Sequence, residues 1–392
     1  MKYLKQKHRL LASFFITFLA AILISLNPWQ TAGAVPGIIP KPPGINATAH
    51  ILLDYNSGYV IATNNADQRI EPASLTKMMT SYVIASELKK GTITLDDEVK
   101  ISERAWRMPG SRMFVKVNST VSVKDLLMGI IVQSGNDATI AMAQHVAGSE
   151  DAFVSMMNQH AERLGLSNTH FVNSTGLPDP EHYSSAHDLA KLGQALIRDF
   201  PEHYDWYSKR EFKYNKIKQK NRNDLLWRDQ SVDGIKTGHT ESAGYCLVAS
   251  AKRDDMRLIS VVVGTNSKKA RADESQKLLT YGFRFFETYK LYTANEPLSK
   301  VRVWKGETEE LPLGLNDDLY ITIPRGQYKN LDANMTINAE ITAPIQRGQI
   351  LGTVNVKLGD ENFAMRKLVS LEDVNAGGFW HSLVDAIMLN FK

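Results

Sequence analysis

Hydrophobic and polar positions along the chain fall into three successive regimes. In the first, after a proline-rich lead-in over 35–45, apolar runs at 49–55 and 59–63 are joined by Asn56-Ser57-Gly58, which predicts a β-hairpin. From Ser74 to Lys90 the positions Met78, Met79, Tyr82, Val83 and Leu88 form a wide helical stripe that stops at Gly91. Helical spacing recurs over 122–132, 137–146, 151–164 and 186–197, and the stretch 171–185, rich in Gly, Pro, Ser and Asn, predicts an ordered loop. In the second regime the period shortens. Residues 232–237, 244–251 and 258–263 predict strands, two of them apolar enough for a central sheet. Residues 272–289, with Leu278, Leu279, Phe283 and Phe286, predict a closing helix. Together these elements predict a sheet sandwiched by helices, with the first hairpin and the last helix meeting the late strands.

The third regime begins after Leu291. Short alternating segments at 301–304, 319–323, 335–341, 350–356 and 363–371 predict a small all-β module over 294–374. It shows no cluster of reactive side chains and reads as a spacer or partner-binding unit. Gly377-Gly378 then releases a terminal segment in which Trp380, Leu383, Val384, Ile387, Met388 and Phe391 share one helical face, with Asp385, Asn390 and Lys392 elsewhere. That pattern predicts an amphipathic helix at a membrane interface over 375–392. A helix packed back on the β module is the competing reading, and the apolar face is too short to span a bilayer.

Composition changes this picture at the N-terminus. Lys2, Lys5, Lys7 and Arg9 precede an apolar run over 10–26, and Ala32-Gly33-Ala34 supplies a small-x-small cleavage site. Residues 1–34 read as a secretory signal peptide, with a retained transmembrane anchor as the alternative. Of 46 Lys and Arg against 42 Asp and Glu, four bases lie in this leader, which leaves 42 of each in the 358 residues (392 less 34) that follow. A formally neutral mature chain removes the main support for nucleic-acid binding. The single cysteine, Cys246, excludes an intramolecular disulfide, and its place in the apolar run 245–251 marks a buried structural thiol.

The candidate chemistry begins at Ser74-Leu75-Thr76-Lys77, which opens the first predicted helix. Positions i and i+3 share a helix face, and a lysine becomes a base for a neighbouring hydroxyl when desolvation or nearby positive charge lowers its pKa. Spacing alone means little: Ser86 and Lys89 repeat it at the polar end of the same helix, where it reads as solvated surface. Ser134-Gly135-Asn136 falls in a tight connection between two predicted helices, where both polar side chains can face a cleft. Lys236-Thr237-Gly238-His239 lies on the first late strand. There Lys236 supplies a positive field, Thr237 a hydroxyl, and Gly238 room for a substrate backbone along the strand edge. In this order, 60 and 102 residues apart, the three motifs match the Ser-x-x-Lys, Ser-Asp-Asn and Lys-Thr-Gly set of penicillin-recognising serine enzymes, with Gly135 in place of the aspartate.

On these residues the chain resembles the D-alanyl-D-alanine carboxypeptidases of the low-molecular-mass penicillin-binding proteins. Within them it is similar to the penicillin-binding protein 5 type of Gram-negative bacteria, whose middle motif also carries glycine. The similarity runs from about Ala49 to the C-terminus and includes 53–58, 72–84, 221–223, 232–239 and 270–271. It implies an α/β (α+β) transpeptidase or β-lactamase-like catalytic domain over 35–293, with a central antiparallel sheet flanked by helices, then the all-β domain and the anchoring helix. It further implies that Ser74 attacks the bond between the last two D-alanines of a peptidoglycan stem pentapeptide, with a neutral Lys77 taking its proton. Ser134 and Lys236 would relay a proton to the leaving amine, Asn136 would hold the substrate amide, and the N–H groups of Ser74 and His239 would form the oxyanion hole. Thr237, Arg222 and Arg271 would orient the terminal carboxylate, although either arginine reads equally as an ordinary ion-pair partner. The resemblance implies no metal or organic cofactor. The expected partners are the stem peptide, β-lactams as covalent inhibitors, the periplasmic face of the inner membrane, and a second copy of the chain as a homodimer. One departure stands out: Thr175 occupies the place, just before Gly176, where relatives often carry a histidine.

Three other functions compete. A serine β-lactamase needs a deacylating glutamate, and Glu181, the only glutamate within 171–185, lies in Asp179-Pro180-Glu181-His182, which does not match a β-lactamase loop. A D,D-endopeptidase of the same superfamily normally lacks the second domain. A non-catalytic wall-binding protein has no need of Ser74, Lys77, Ser134, Asn136 and Lys236 together.

Overall fold

Strand β1 (Ala49–Asp54) is buried along its whole length, His50 and Asp54 included, as befits a strand covered on both faces. It turns into β2 (Val60–Asn64) and, on its other edge, pairs antiparallel with a late strand, Ile51 facing Val261. With β3 (Val232–Thr240), β4 (Gly244–Arg253) and β5 (Met256–Thr265) it forms an antiparallel sheet in the order β2-β1-β5-β4-β3. The first hairpin thus closes against the last strand, and β3 lies at an edge. The computed structural model describes residues 39–390; the predicted leader, 1–34, and the tail residues Phe391 and Lys392 lie outside the described residues.

The helical part is built around α1 (Lys77–Lys90), buried from Lys77 through Glu87. A helix enclosed on nearly every side carries little amphipathic contrast. Around it lie α2 (Val123–Met128), a π-helical turn at Gly129–Gln133, α3 (Asn136–Ala147) and α4 (Glu150–Arg163). On the sheet, α5 (Ala186–Asp199) packs against β5 and β1, and α6 (Lys268–Phe285) against β5 and β4. Ser122, Ser149, Ser185 and Ser267 each cap a helix start, the hydroxyl accepting from a backbone N–H in the first turn.

Three features depart from the sequence reading. The closing helix begins earlier and ends at Phe285, and residues expected to continue it form β6 (Phe286–Tyr292). Phe286 is buried in the strand as it would be on a helix, so the apolar spacing runs through the change without marking it. The second domain also contains β8 (Glu310–Gly314), which Pro312 and Gly314 disguise as a turn. Finally, a short antiparallel pair, Glu211–Tyr214 with Ile217–Lys220, arises where no element is expected.

In the second domain β7 (Ser299–Arg302), β8, β10 (Leu331–Ile337), β11 (Ile350–Leu358) and β12 (Glu361–Ser370) form a sheet in the order β7-β8-β12-β11-β10, while β9 (Leu319–Pro324) pairs with β6. The domains join through hydroxyls on a buried carboxylate. Thr288 Oγ1 donates to Asp54 Oδ2 at 2.7 Å, and the hydroxyls of Ser57 and Thr322 bond at 2.6 Å. The terminal helix α7 (Phe379–Asn390) docks by its polar side. Asp385 is buried, accepting from the Lys305 N–H at 2.6 Å and pairing with Arg302 at 3.3 Å. Phe379, Trp380, Leu383, Val384, Ile387 and Met388 stay exposed on the other side.

Candidate active site

Before α1 the chain makes a 3-10 turn, Ala73–Thr76, with Ala73 in the left-handed region at φ 49°. A non-glycine residue held there signals local strain. The turn brings Ser74 to the surface of a cleft while Lys77 stays buried behind it. Lys77 Nζ donates to Ser74 Oγ at 3.2 Å and to the Thr175 carbonyl at 2.5 Å, and no carboxylate among the described residues pairs with it. Burial, reinforced by Arg222, brings the Lys77 ammonium down to about 7. The second copy of the spacing behaves differently. Lys89 is exposed, as expected, but Ser86 is buried, because α1 is covered even near its polar end.

The π-helical turn ends at Ser134, whose backbone is left-handed at φ 65° and ψ 36°. This aims Oγ at the edge strand, where Lys236 Nζ donates to it at 2.9 Å and to the Thr237 carbonyl at 3.1 Å. Lys236 is drawn well below the ordinary lysine range by burial first, then by Lys77, Arg222 and Arg271. Asn136 opens α3, its amide donating to the Pro109 carbonyl at 2.7 Å, while its buried Oδ1 has no hydrogen-bond partner among the described residues. Between them Gly135 is crowded: a Cβ would lie 2.8 Å from Asp137 Oδ1 and 3.1 Å from the Met113 nitrogen. Space, not backbone angle, excludes a side chain in the middle of this motif.

On β3, Thr237 is buried and His239 exposed. Gly238 lines the cleft, and the space beside its Cα serves packing. A Cβ there would lie 3.1 Å from the Pro72 carbonyl and 3.2 Å from Leu75, so this glycine lets the edge strand press on the Ser74 turn. Arg271 Nη1 donates to the Gly238 carbonyl at 3.1 Å and Nη2 to the Arg222 carbonyl at 3.2 Å, and Arg222 Nη2 donates to Ser111 Oγ at 2.6 Å. Neither arginine is in an ion pair among the described residues, which sets aside the ion-pair reading for both. A cleft of about 790 Å³ is lined by Ser74, Ser134, Arg222, Thr237, Gly238, His239 and Arg271, and extends past Lys220, Trp227 and Lys268.

Other residues that hold this site gave no signal in the sequence. Asp137, where the third predicted helix begins, is buried and accepts N–H bonds from Met113 (2.9 Å), Phe114 (2.9 Å), Val115 (3.2 Å) and Ala138 (2.9 Å), fixing the wall opposite β3. The loop after α4 is clamped to the Ser74 turn: Thr80 donates to the Ser174 carbonyl at 2.6 Å, and Thr76 Oγ1 meets His182 Nε2 at 2.7 Å. Val172 N–H donates to His182 Nδ1, and burial pulls this imidazole down to about 4. At Gly176, φ 82°, any Cβ would strike the Ala73 carbonyl. Thr175 therefore contributes its carbonyl, not its side chain, to Lys77. Glu181 is exposed and does not line the cleft.

The sequence profile of the D-alanyl-D-alanine carboxypeptidase family matches residues 37–267, and that of the penicillin-binding protein 5 C-terminal domain matches 286–376. D-alanyl-D-alanine carboxypeptidase DacA of Escherichia coli (strain K12) is 48% identical over 362 residues, covering 90% of each chain. The crystal structure of penicillin binding protein 5 from Haemophilus influenzae superposes with a TM-score of 0.84 at 47% identity, covering 86% of this chain and 99% of that one. Penicillin-Binding Protein D2 from Listeria monocytogenes, solved in its ampicillin-bound form, gives a TM-score of 0.58 at 30% identity over 62% of this chain and 100% of that one. Sequence, two-domain fold and cleft geometry agree: the chain belongs to the D-alanyl-D-alanine carboxypeptidase family.

Proposed function

We propose that this carboxypeptidase removes the terminal D-alanine from peptidoglycan stem pentapeptides through an acyl-enzyme on Ser74. One observation carries the reading: the hydroxyl of Ser74 lies against a buried lysine that has no carboxylate partner among the described residues and titrates near 7. Close to neutrality much of Lys77 is a free amine. The Thr175 carbonyl takes one of its N–H groups, and its lone pair is free for the Ser74 proton. Oγ then bonds to the scissile carbonyl carbon, and the oxyanion rests on the N–H groups of Ser74 and His239, each worth about 3 to 4 kcal/mol in hydrolases generally. The C–N bond breaks as the leaving amine gains a proton through Ser134 and Lys236, which are already hydrogen-bonded. Water cleaves the ester and frees Ser74.

The unpartnered Oδ1 of Asn136 suits a substrate N–H, and Thr237 with Arg222 suits the terminal carboxylate. Arg271, with both terminal nitrogens on backbone carbonyls, acts as a positioning residue that holds β3 and the Arg222 segment. The Listeria relative solved with ampicillin supports β-lactams as covalent inhibitors at Ser74, and exposed Glu181 leaves the β-lactamase reading without its deacylating base. The leader pattern of 1–34 supports export to the periplasm. The outward apolar side of α7 supports peripheral anchoring on the inner membrane, since no helix among the described residues is long and apolar enough to cross it. Pairing of two copies through that side is the competing use.

The test is mass spectrometry after penicillin treatment, with D-alanine release measured in parallel. One β-lactam adduct is expected on the Ser74 peptide, and Ser74→Ala should lose both adduct and release. Retained D-alanine release in that variant would overturn the nucleophile.

A further inference from the structure

From Lys209 to Arg222, seven of fourteen residues are Lys or Arg and one, Glu211, is acidic, although the chain after the leader is balanced overall. The strands Glu211–Tyr214 and Ile217–Lys220 form a hairpin with Asn215 and Lys216 at φ 46° and 64°, the left-handed pair of a tight turn. One face packs inward: Phe212 and Tyr214 lie against the main core, and Gln219 Nε2 donates to the Met113 carbonyl at 2.9 Å. The other face, Glu211, Lys213, Lys218 and Lys220, is exposed. Its register sets Lys213 directly opposite Lys218, a like-charge pair that weakens a hairpin. Glu211 relieves only Lys218, at 2.6 Å, and Lys213, Lys216 and Lys220 have no ion-pair partner among the described residues. Asp125, Asp137 and Glu98 act on Tyr214, which belongs to the packed face, and exposed Asp224 lines the cleft with Lys220 and Arg222 without pairing to either. The exposed cations also run into the active cleft, which Lys220 and Arg222 line.

We infer that this hairpin is an electrostatic docking face for the substrate polymer, holding the carboxylate-bearing stem peptides that neighbour the one being cleaved. The inference rests on the carboxypeptidase reading of the cleft. A small substrate ends in one carboxylate, which Thr237 and Arg222 can take. A peptidoglycan strand repeats that charge along its length, and a row of unpaired lysines continuous with the cleft attracts it over roughly 8–10 Å at moderate salt. Binding several neighbours at once raises the local concentration of cleavable stems without any new contact at Ser74. The self-repelling Lys213–Lys218 pair is then retained for recognition at the expense of hairpin stability.

The test compares the full-length protein with a Lys213→Glu/Lys216→Glu variant on two substrates: a soluble acyl-D-alanyl-D-alanine tripeptide and isolated pentapeptide-rich sacculi. D-alanine release from the tripeptide should be unchanged. Release from sacculi, and co-sedimentation with them, should fall about ten-fold at low salt. Raising salt should bring the wild type down to the variant. The melting temperature should hold or rise, because Lys213→Glu turns a like-charge pair into an opposite-charge one. Unchanged sacculus binding and hydrolysis would overturn the inference. So would an equal loss on the tripeptide, which would make the hairpin part of the cleft. Lost binding to anionic phospholipid vesicles with sacculus binding intact would also overturn it, assigning the face to the membrane. Absence of tripeptide hydrolysis by the wild type would instead reject the carboxypeptidase reading beneath it.

Discussion

Lys77 shows how a single residue trades stability for chemistry. Its folded pKa, about 7, lies below the roughly 10.4 of an unfolded lysine, so between those values the unfolded chain binds more protons and stability rises with pH. Below about 7 both states are protonated and the penalty is constant. Lys77→Met should therefore raise stability by on the order of 1 kcal/mol or more at pH 7, with the gain shrinking toward pH 10.5, while abolishing acylation. Urea denaturation at the two pH values measures the first effect and penicillin labelling the second. The same titration gives kcat/KM a rising limb near pH 7, because only the neutral amine accepts the Ser74 proton.

Among the elements, the connection from α2 through the π-helical turn to α3 does most to shape the cleft. It sets Ser134 in a left-handed conformation and leaves no room at Gly135. Gly135→Ala should push against Asp137 and Met113, lowering stability by about 1 to 3 kcal/mol and slowing acylation, as read by thermal melting and penicillin-labelling kinetics. Much of this scale was legible in advance. The three motifs sit on the helix start, tight connection and strand that their surroundings predict, and the first hairpin meets the late strands as expected. The illegible parts share a cause: they depend on neighbours distant in sequence. Asp137 looks like an ordinary first-turn acid because its partners lie 22 to 24 residues upstream in an aperiodic stretch. Ser86 looks solvated until α1 is enclosed. Nothing near Gly238 in sequence reveals that the Pro72–Leu75 turn packs against it. Strand β6 follows a helix whose apolar spacing continues into it.

At the scale of the whole molecule, the catalytic domain is tied through Asp54, Ser57, Thr288 and Thr322 to a β domain that carries α7 by its polar side. The chain thus presents a cleft at one edge of its first domain and an apolar helix face on its second. Truncation before Gly377 should free the enzyme from membrane fractions while leaving tripeptide hydrolysis intact. Fractionation of cells expressing both forms checks it, and a truncated form that still pellets would move the anchor elsewhere.

Cys246 sits on β4 directly opposite Gly238, wholly buried, its thiol pushed up to about 11 by burial. A thiolate is the reactive form, so the native protein offers almost nothing to alkylating reagents, and any modification must wait until the central sheet opens beside the active site. The chain therefore contains its own clock for unfolding. The rate at which this one sulfur becomes labelled, with and without an acyl group on Ser74, reports how far occupancy of the cleft slows the opening of the strands that frame it.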